Sequence, residues 1–351
     1  MMATLNETPL AEPAAHAGRS PTMWQYAGIT AILVIVCILP FAVSGYRVSQ
    51  FSQVLIYAIA MLGLNILTGF NGQISLGQGA FYAIGAYTTA ILLDKTGIPY
   101  WTTVPIAGVI CLAAGFLFGL PALRLEGLYL ALATLALAVA TPQILKCKGF
   151  DQWTGGVQGI QLDAPAAPFG LPLNPDRWIY YFCLIWTIAL FVMARNLLRG
   201  RTGRAIIAIR DHPLAAETMG VDTALYKSLT FGVSAMYTGI AGALSALLSA
   251  YVSPDSFPVF LSIKFLVGSV VGGIASLSGV FLGALFIEFM PNFADQISKA
   301  APDAIFGMFL IALMYLMPKG AIGVLDFIAV RCLGRKRGNG RGTRVSHRVV
   351  I

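Results

Sequence analysis

The chain has 351 residues, 57% of them hydrophobic and only 11% charged, with a mean hydropathy of +0.77. Soluble domains carry about 25% charged residues, so an ordinary soluble fold is excluded. The net charge of +8 does not point to nucleic acid, because 14 of the 23 Lys and Arg lie in two segments, six in 195–227 and eight in 318–351. Cations retained in short segments of this kind mark the cytoplasmic side of a membrane protein.

Charged residues are separated by long stretches that contain none. There are 27 such residues between Arg19 and Arg47 and 46 between Arg47 and Asp94, with further runs at 96–123, 127–145, 178–194, 228–254, 265–287 and 304–318. A bilayer core ~30 Å thick needs about 20 apolar helical residues to cross it. The runs are continuous and lack the alternation of a β-barrel, so the expected fold is an all-α polytopic membrane protein. Residues 1–23 are expected to form a disordered cytoplasmic tail, 24–318 the transmembrane domain, and 319–351 a basic cytoplasmic tail.

The first run, about 25–44, could be a cleavable signal peptide. Its length and thin basic flank favour an uncleaved helix. As one straight helix the run 48–93 would be about 69 Å long, so it must fold back, and the glycine-rich polar stretch 69–79 is the place for the reversal. Spans follow at 99–121 and 127–145, the latter leaving an inside turn with Arg124. An outside loop, 146–176, leads to a span at 177–198, the inside segment 195–227 and a span at 229–251. The segment 260–292 is expected to break between Gly272 and Gly279 into two short or re-entrant passages, with Lys264 and Glu288 near their outer ends. That break lets the last span, 303–317, deliver the C-terminal cations to the inside. The sum is about ten membrane segments with both termini cytoplasmic.

Gly115-xxx-Gly119, Gly268-xxx-Gly272 and Gly279-xxx-Gly283 predict close helix packing within the chain. Cys37, Cys111, Cys147, Cys183 and Cys332 show no metal-ligand spacing and are read as packing residues without a disulfide. His16, His212 and His347 are scattered, and no G-x-x-x-x-G-K-[ST] occurs. No metal site, cofactor, catalytic centre or P-loop is therefore expected, and the chain is not an enzyme.

The loop 199–222 carries one well-punctuated short helix. Asp211 can cap it, Pro213 fits its first turn and Gly220 can end it in the left-handed conformation, with Arg204 and Arg210 flanking. Ala215, Ala216 and Met219 would form a compact apolar face for a soluble partner. The alternative is an amphipathic helix resting on lipid headgroups.

The loop resembles the coupling loop of ABC importer permeases, here reading Ala215-Ala216-Glu217-x-x-Gly220. The stretch from Leu62 through Asn65, Asn71, Gln73, Ser75 and Gln78 to Tyr87 resembles the opening core of the branched-chain amino-acid transporter permeases. Glu126 to Leu135, Thr154-Gly-Gly-Val-Gln-Gly-Ile160 and Gly268 to Gly283 are similar to the same family. The Thr-Gly-Gly-x-x-Gly-Ile piece and the long N-terminal lead resemble the LivM-type subunit rather than its LivH-type partner. The resemblance covers roughly 50–325. It implies a second, LivH-like permease subunit, two cytoplasmic ATP-binding subunits docked on the coupling loops, a periplasmic solute-binding protein and a bacterial inner-membrane location.

Asn65, Asn71, Gln73, Ser75 and Gln78 are the candidate pathway residues, because a broken membrane helix exposes backbone groups that protein, water or solute must satisfy. A tight cytoplasmic turn is the competing reading. Glu126 reads as an anion at a helix N-terminus, and Tyr129 and Thr134 as packing residues. A stand-alone secondary transporter is the alternative function; it should carry an acid centrally in a span, and none is expected here. The solute class stays open between branched-chain or other amino acids, urea and short amides.

Overall fold

The computed structural model describes residues 34–122, 125, 127–163, 165, 174–297, 302–316, 320–321 and 323. The expected N-terminal tail and nearly all of the C-terminal tail lie outside them, as do Arg124, Glu126 and Cys332. A first compact unit ends at Ser44 and holds a helix over 34–42, α1, within the expected first span.

The second unit begins at Gly45. Its long helices are α2 (Gly45–Leu64, continued by a π-helical turn Asn65–Phe70), α3 (Gln78–Thr96), α4 (Tyr100–Ala122) and α5 (Leu128–Leu145). After a short α6 (Asp151–Thr154) and strand β1 (Ile160–Gln161) come α7 (Pro175–Arg199), α8 (Arg201–Asp211), α9 (Pro213–Thr218) and α10 (Thr223–Ser249). Strand β2 (Tyr251–Val252) and a 3-10 turn (Pro254–Ser256) lead to α11 (Val259–Gly272), α12 (Gly279–Ile297) and α13 (Pro302–Leu316). Among the described residues, six stretches are long and apolar enough to cross a membrane: Gly45–Phe70, Tyr100–Pro121, Leu128–Leu145, Pro175–Arg199, Thr223–Ser249 and Pro254–Gly272. The protein is therefore a multi-pass helical membrane protein.

The most apolar windows of the first and fifth of these stretches are 78% buried, against 28% for α5 and α7, so α2 and α10 form the core and α5 and α7 its periphery. Phe81 of α3 packs edge-on against Phe231 of α10 with ring centroids 5.8 Å apart, in a cluster with Leu67, Leu130 and Ala235. Outward faces carry Val109, Leu117, Leu128, Ile185 and Ile311, apolar side chains suited to lipid or to another subunit.

The glycine pairs pack within the chain, as expected. A Cβ on Gly283 would lie 2.0 Å from the Gly268 carbonyl oxygen, and one on Gly272 would lie 2.3 Å from that of Gly279. The predicted break falls at 273–278 and turns α11 back into α12. At 1.5 Å per residue, the 14 residues of α11 alone extend about 21 Å, and the candidate span Pro254–Gly272 reaches crossing length by including the 3-10 turn before it.

Two expectations are corrected. α12 continues through Pro291 to Ile297, which puts Glu288 at its midpoint, within electrostatic reach of Lys264, instead of near an outer end. Cys147 is exposed and is no packing residue, whereas Cys111 and Cys183 are buried and all four described cysteines are free.

The helix ends gather into two groups. At one, β1 pairs antiparallel with β2, Lys146 pairs with Asp255 at 2.6 Å, and Trp178 Nε1 donates to the Tyr100 hydroxyl. The Thr154-Gly-Gly motif belongs here: the Thr154 hydroxyl donates to Leu145 and Phe150 carbonyls, and Gly155 and Gly156 take φ of 69° and 56°. At the other end, α8, which leads into α9, meets the π-helical turn of α2.

Candidate functional site

The segment between α2 and α3 is the most irregular backbone in the core. Asn71 and Gly72 lie beside Arg210, at the α8–α9 end, and together they line a cavity of about 200 Å³. Six residues on, Gln78 Nε2 donates to the Ser234 hydroxyl (3.0 Å) and Gln78 Oε1 accepts from Thr238 (2.5 Å). Ser234 and Thr238 are the twelfth and sixteenth residues of the 27-residue α10, so α3 starts at the middle of the bundle. The stretch 72–77 therefore runs inward from one end to mid-depth, which a tight turn at the surface would not do.

Neighbouring helices satisfy this broken backbone. Leu76 N donates to the Thr134 hydroxyl of α5 (2.9 Å), and Gly79 N donates to Ser262 Oγ of α11 (2.9 Å). The first N–H groups of a helix have no partner within it, and inside a bundle a hydroxyl on an adjacent helix supplies one. Thr134 thus serves the break as well as packing, while Tyr129 is 72% exposed and does not pack.

The five sequence-predicted pathway residues divide by what they touch. Asn65 clamps the α11–α12 turn, donating to the Ser276 carbonyl and accepting from Ala275 N, both at 2.8 Å. That clamp holds Ala275 at a φ of 62°. Gln73 Nε2 reaches the Lys227 carbonyl at 3.4 Å, and Ser75 Oγ accepts from Gly77 N at 3.3 Å. Gln78 is tied to α10. Asn71 differs: it is 3% exposed, and among the described residues neither its amide nitrogen nor its oxygen has a partner.

The residues expected from the sequence to act in coupling form a second group. Pro213 occupies the first turn of α9, but the cap position is His212, without a side-chain bond. Asp211 stands one residue too early to cap and instead pairs with Arg210 at 2.9 Å. Gly220 has a φ of 82°, with Val221 N bonded to the Ala216 carbonyl and Gly220 N to that of Glu217. This is the left-handed helix end that the sequence predicts. Asp222, one of the residues not singled out from sequence, caps α10 through Leu225 N. The apolar face also differs: Ala216 points inward at 5% exposure, whereas Leu214 and Met219 are 79% and 86% exposed beside Ala215. Arg204 and Glu217 are exposed.

Arg210 joins the two groups. Its Nη1 donates to the Gly69 carbonyl at 3.0 Å, at the last turn of α2 before the break. Among the described residues no three His, Cys, Asp or Glu side chains are placed to hold a metal.

The family model described as branched-chain amino acid transport system / permease component matches residues 46–318. The chain belongs to this permease family. The high-affinity branched-chain amino acid transport system permease protein LivM of Escherichia coli K12 is 35% identical over 329 residues, 86% of this chain and 76% of its own length. LivM of Salmonella typhimurium LT2 matches to the same extent. LivH of E. coli K12 is 22% identical over 286 residues, 76% of this chain and 91% of its own. No solved structure matches significantly. The relatives are transport permease components and not enzymes, which agrees with the LivM-type resemblance seen in the sequence.

Proposed function

We propose that this permease is the LivM-type half of the membrane pathway of an ATP-driven importer for branched-chain or related amino acids, paired with a LivH-like subunit. Two cytoplasmic ATPases supply the energy and a periplasmic binding protein delivers the solute. The observation that carries this reading is the mid-depth helix break, whose cytoplasmic end is bonded to the helix preceding α9. Ordered polar backbone inside a bilayer is tolerated where it is buried in protein or lines a path, and here the Thr134 and Ser262 hydroxyls of neighbouring helices supply partners to it.

On this reading α8–α9 faces the cytoplasm with the cations of 195–227, and the chain crosses about ten times with both termini inside. Asn71, Gln73, Ser75 and Gln78 belong to the path, with Asn65 bracing it, and Arg204, Arg210, Asp211, Ala215, Ala216, Glu217 and Gly220 to the coupling surface. ATP binding and hydrolysis would shift inward- and outward-facing states against each other through that surface. Glu288 at the middle of α12 is the one feature that favours the alternative, a stand-alone ion-coupled transporter. Mild detergent extraction followed by affinity purification separates the two. Co-purification of a second permease and an ATPase is expected, whereas uptake by this chain alone in liposomes would sink the importer reading.

A further inference from the structure

We propose that a second cavity, at the β1–β2 end, is a binding pocket for a small net-neutral solute that joins a hydrogen-bonding end to a short aliphatic chain. The proposal rests on the importer reading and specifies where such a solute is held before it reaches the helix break.

The cavity measures about 330 Å³, at the lower end of the ~300–1,000 Å³ typical of small-molecule sites, and none of its eleven lining residues is charged. Gln53 and Tyr57 of α2, Tyr82 of α3, and Ser245 and Ser249 of α10 supply polar groups, and Phe257 supplies an apolar wall. An ion would find no counter-charge in this lining, while a neutral amide or a zwitterion of zero net charge would find donors and acceptors together.

Tyr82 is the second observation. It is 3% exposed, and among the described residues its hydroxyl meets only Ser245 and Gln53, both at the edge of hydrogen-bonding reach and neither with the geometry of a full bond. Buried polar groups are nearly always well paired, so a hydroxyl this poorly paired beside a cavity has bonding capacity left for a molecule in the cavity. The ring cannot easily turn away. Phe257 and Phe265 flank it with centroids at 6.0 and 5.4 Å, and the Tyr82 carbonyl lies 2.0 Å from where a Cβ on Gly242 would stand.

The pocket and the break share helix faces. Gln78 precedes Tyr82 by four residues and so lies one turn deeper on the same face of α3. Ser234, Thr238, Ser245 and Ser249 recur at four- and seven-residue spacing and so share one face of α10.

The test uses the assembled transporter in proteoliposomes, with saturating binding protein and radiolabelled L-leucine, L-valine and acetamide as probes. Tyr82→Phe removes only the hydroxyl and Ser245→Leu fills the cavity. Tyr82→Phe should raise the KM for uptake about fivefold, the worth of one hydrogen bond, and Ser245→Leu should abolish uptake. A Ser249→Cys variant in a Cys147→Ser background should react more slowly with a small maleimide when L-leucine is present. Kinetics within twofold of the unaltered transporter, together with labelling indifferent to L-leucine, would show that the cavity holds water only and would overturn the proposal. If Ser245→Leu fails to assemble, the near-isosteric Tyr82→Phe decides. Absence of uptake of all three probes by the unaltered transporter would instead refute the importer reading, and this proposal with it.

Discussion

Arg210 in the last turn of α8 donates a 3.0 Å hydrogen bond to the carbonyl of Gly69, 141 residues earlier, at the point where α2 gives way to the irregular stretch. A helix end leaves its last carbonyls without partners, and a guanidinium is well suited to hold one. This bond is a physical link between a surface helix pair and the mid-depth break. Arg210→Ala should therefore leave the protein in the membrane and bound to its ATPases, yet reduce uptake about tenfold, the loss expected for one charge-assisted bond of ~1.5–3 kcal/mol. Arg210→Lys, which lacks the planar fork, should restore only part. Uptake measured against ATP hydrolysis in the same proteoliposomes gives the coupling ratio that checks this.

Gln78 has both ends of its amide bonded to α10. Gln78→Leu would strand the Ser234 hydroxyl and remove an acceptor from Thr238, at a cost of about 1–3 kcal/mol. The expected outcome is a lower melting temperature of the purified protein in detergent. Ser228→Ala, which removes a buried hydroxyl that has no partner, should be neutral or slightly stabilising in the same assay.

The α11–α12 hairpin depends on backbone contact. With the Gly268 carbonyl 2.0 Å from a Cβ at Gly283, Gly283→Leu cannot be accommodated by side-chain rotation. Overpacking of this kind costs ~1–3 kcal/mol or more. The expected result is loss of the monodisperse peak in size-exclusion chromatography. Gly307→Leu, where nothing lies within 4 Å, should behave as the unaltered protein.

The exposed tip of α9 sets the fourth expectation. Met219 and Leu214 are more than three quarters exposed, whereas Ala216 is covered. On the docking reading, Met219→Glu and Ala215→Glu should abolish retention of the ATPases in a pull-down, by placing a solvated charge in an apolar contact. Gly220→Val should weaken retention less, by straining the left-handed helix end. Retention unchanged in all three variants would assign α9 to the lipid headgroups.

Much of this architecture was legible because charge-free length and glycine punctuation act locally. The runs set the helices, Gly220 set the end of α9, and the polar glycine-rich stretch 69–79 located the fold-back. What escaped was tertiary. That Asn65 would spend its amide on Ala275 and Ser276 requires knowing that α11 and α12 turn beside α2. The hydroxyls of Ser234 and Thr238 carried a signal, their four-residue spacing on a long apolar helix, but only the position of α3 gives it meaning. Asp211 was misread as a cap because the one-residue offset between it and His212 is decided by how Pro213 begins the helix. Glu288 was placed near a helix end because the segment was bounded at 292, yet α12 continues to Ile297 with Pro291 inside it.

The central claim is that the chain is a passive half of a pathway driven from outside. It is tested most directly by L-leucine uptake into proteoliposomes holding both permease subunits and the binding protein, with the ATPase subunits and ATP either present or omitted. Uptake should occur only when ATPase and ATP are both present, and should be unaffected by collapsing the proton gradient or by Glu288→Gln. Uptake without the ATPase, lost on Glu288→Gln, would contradict the account.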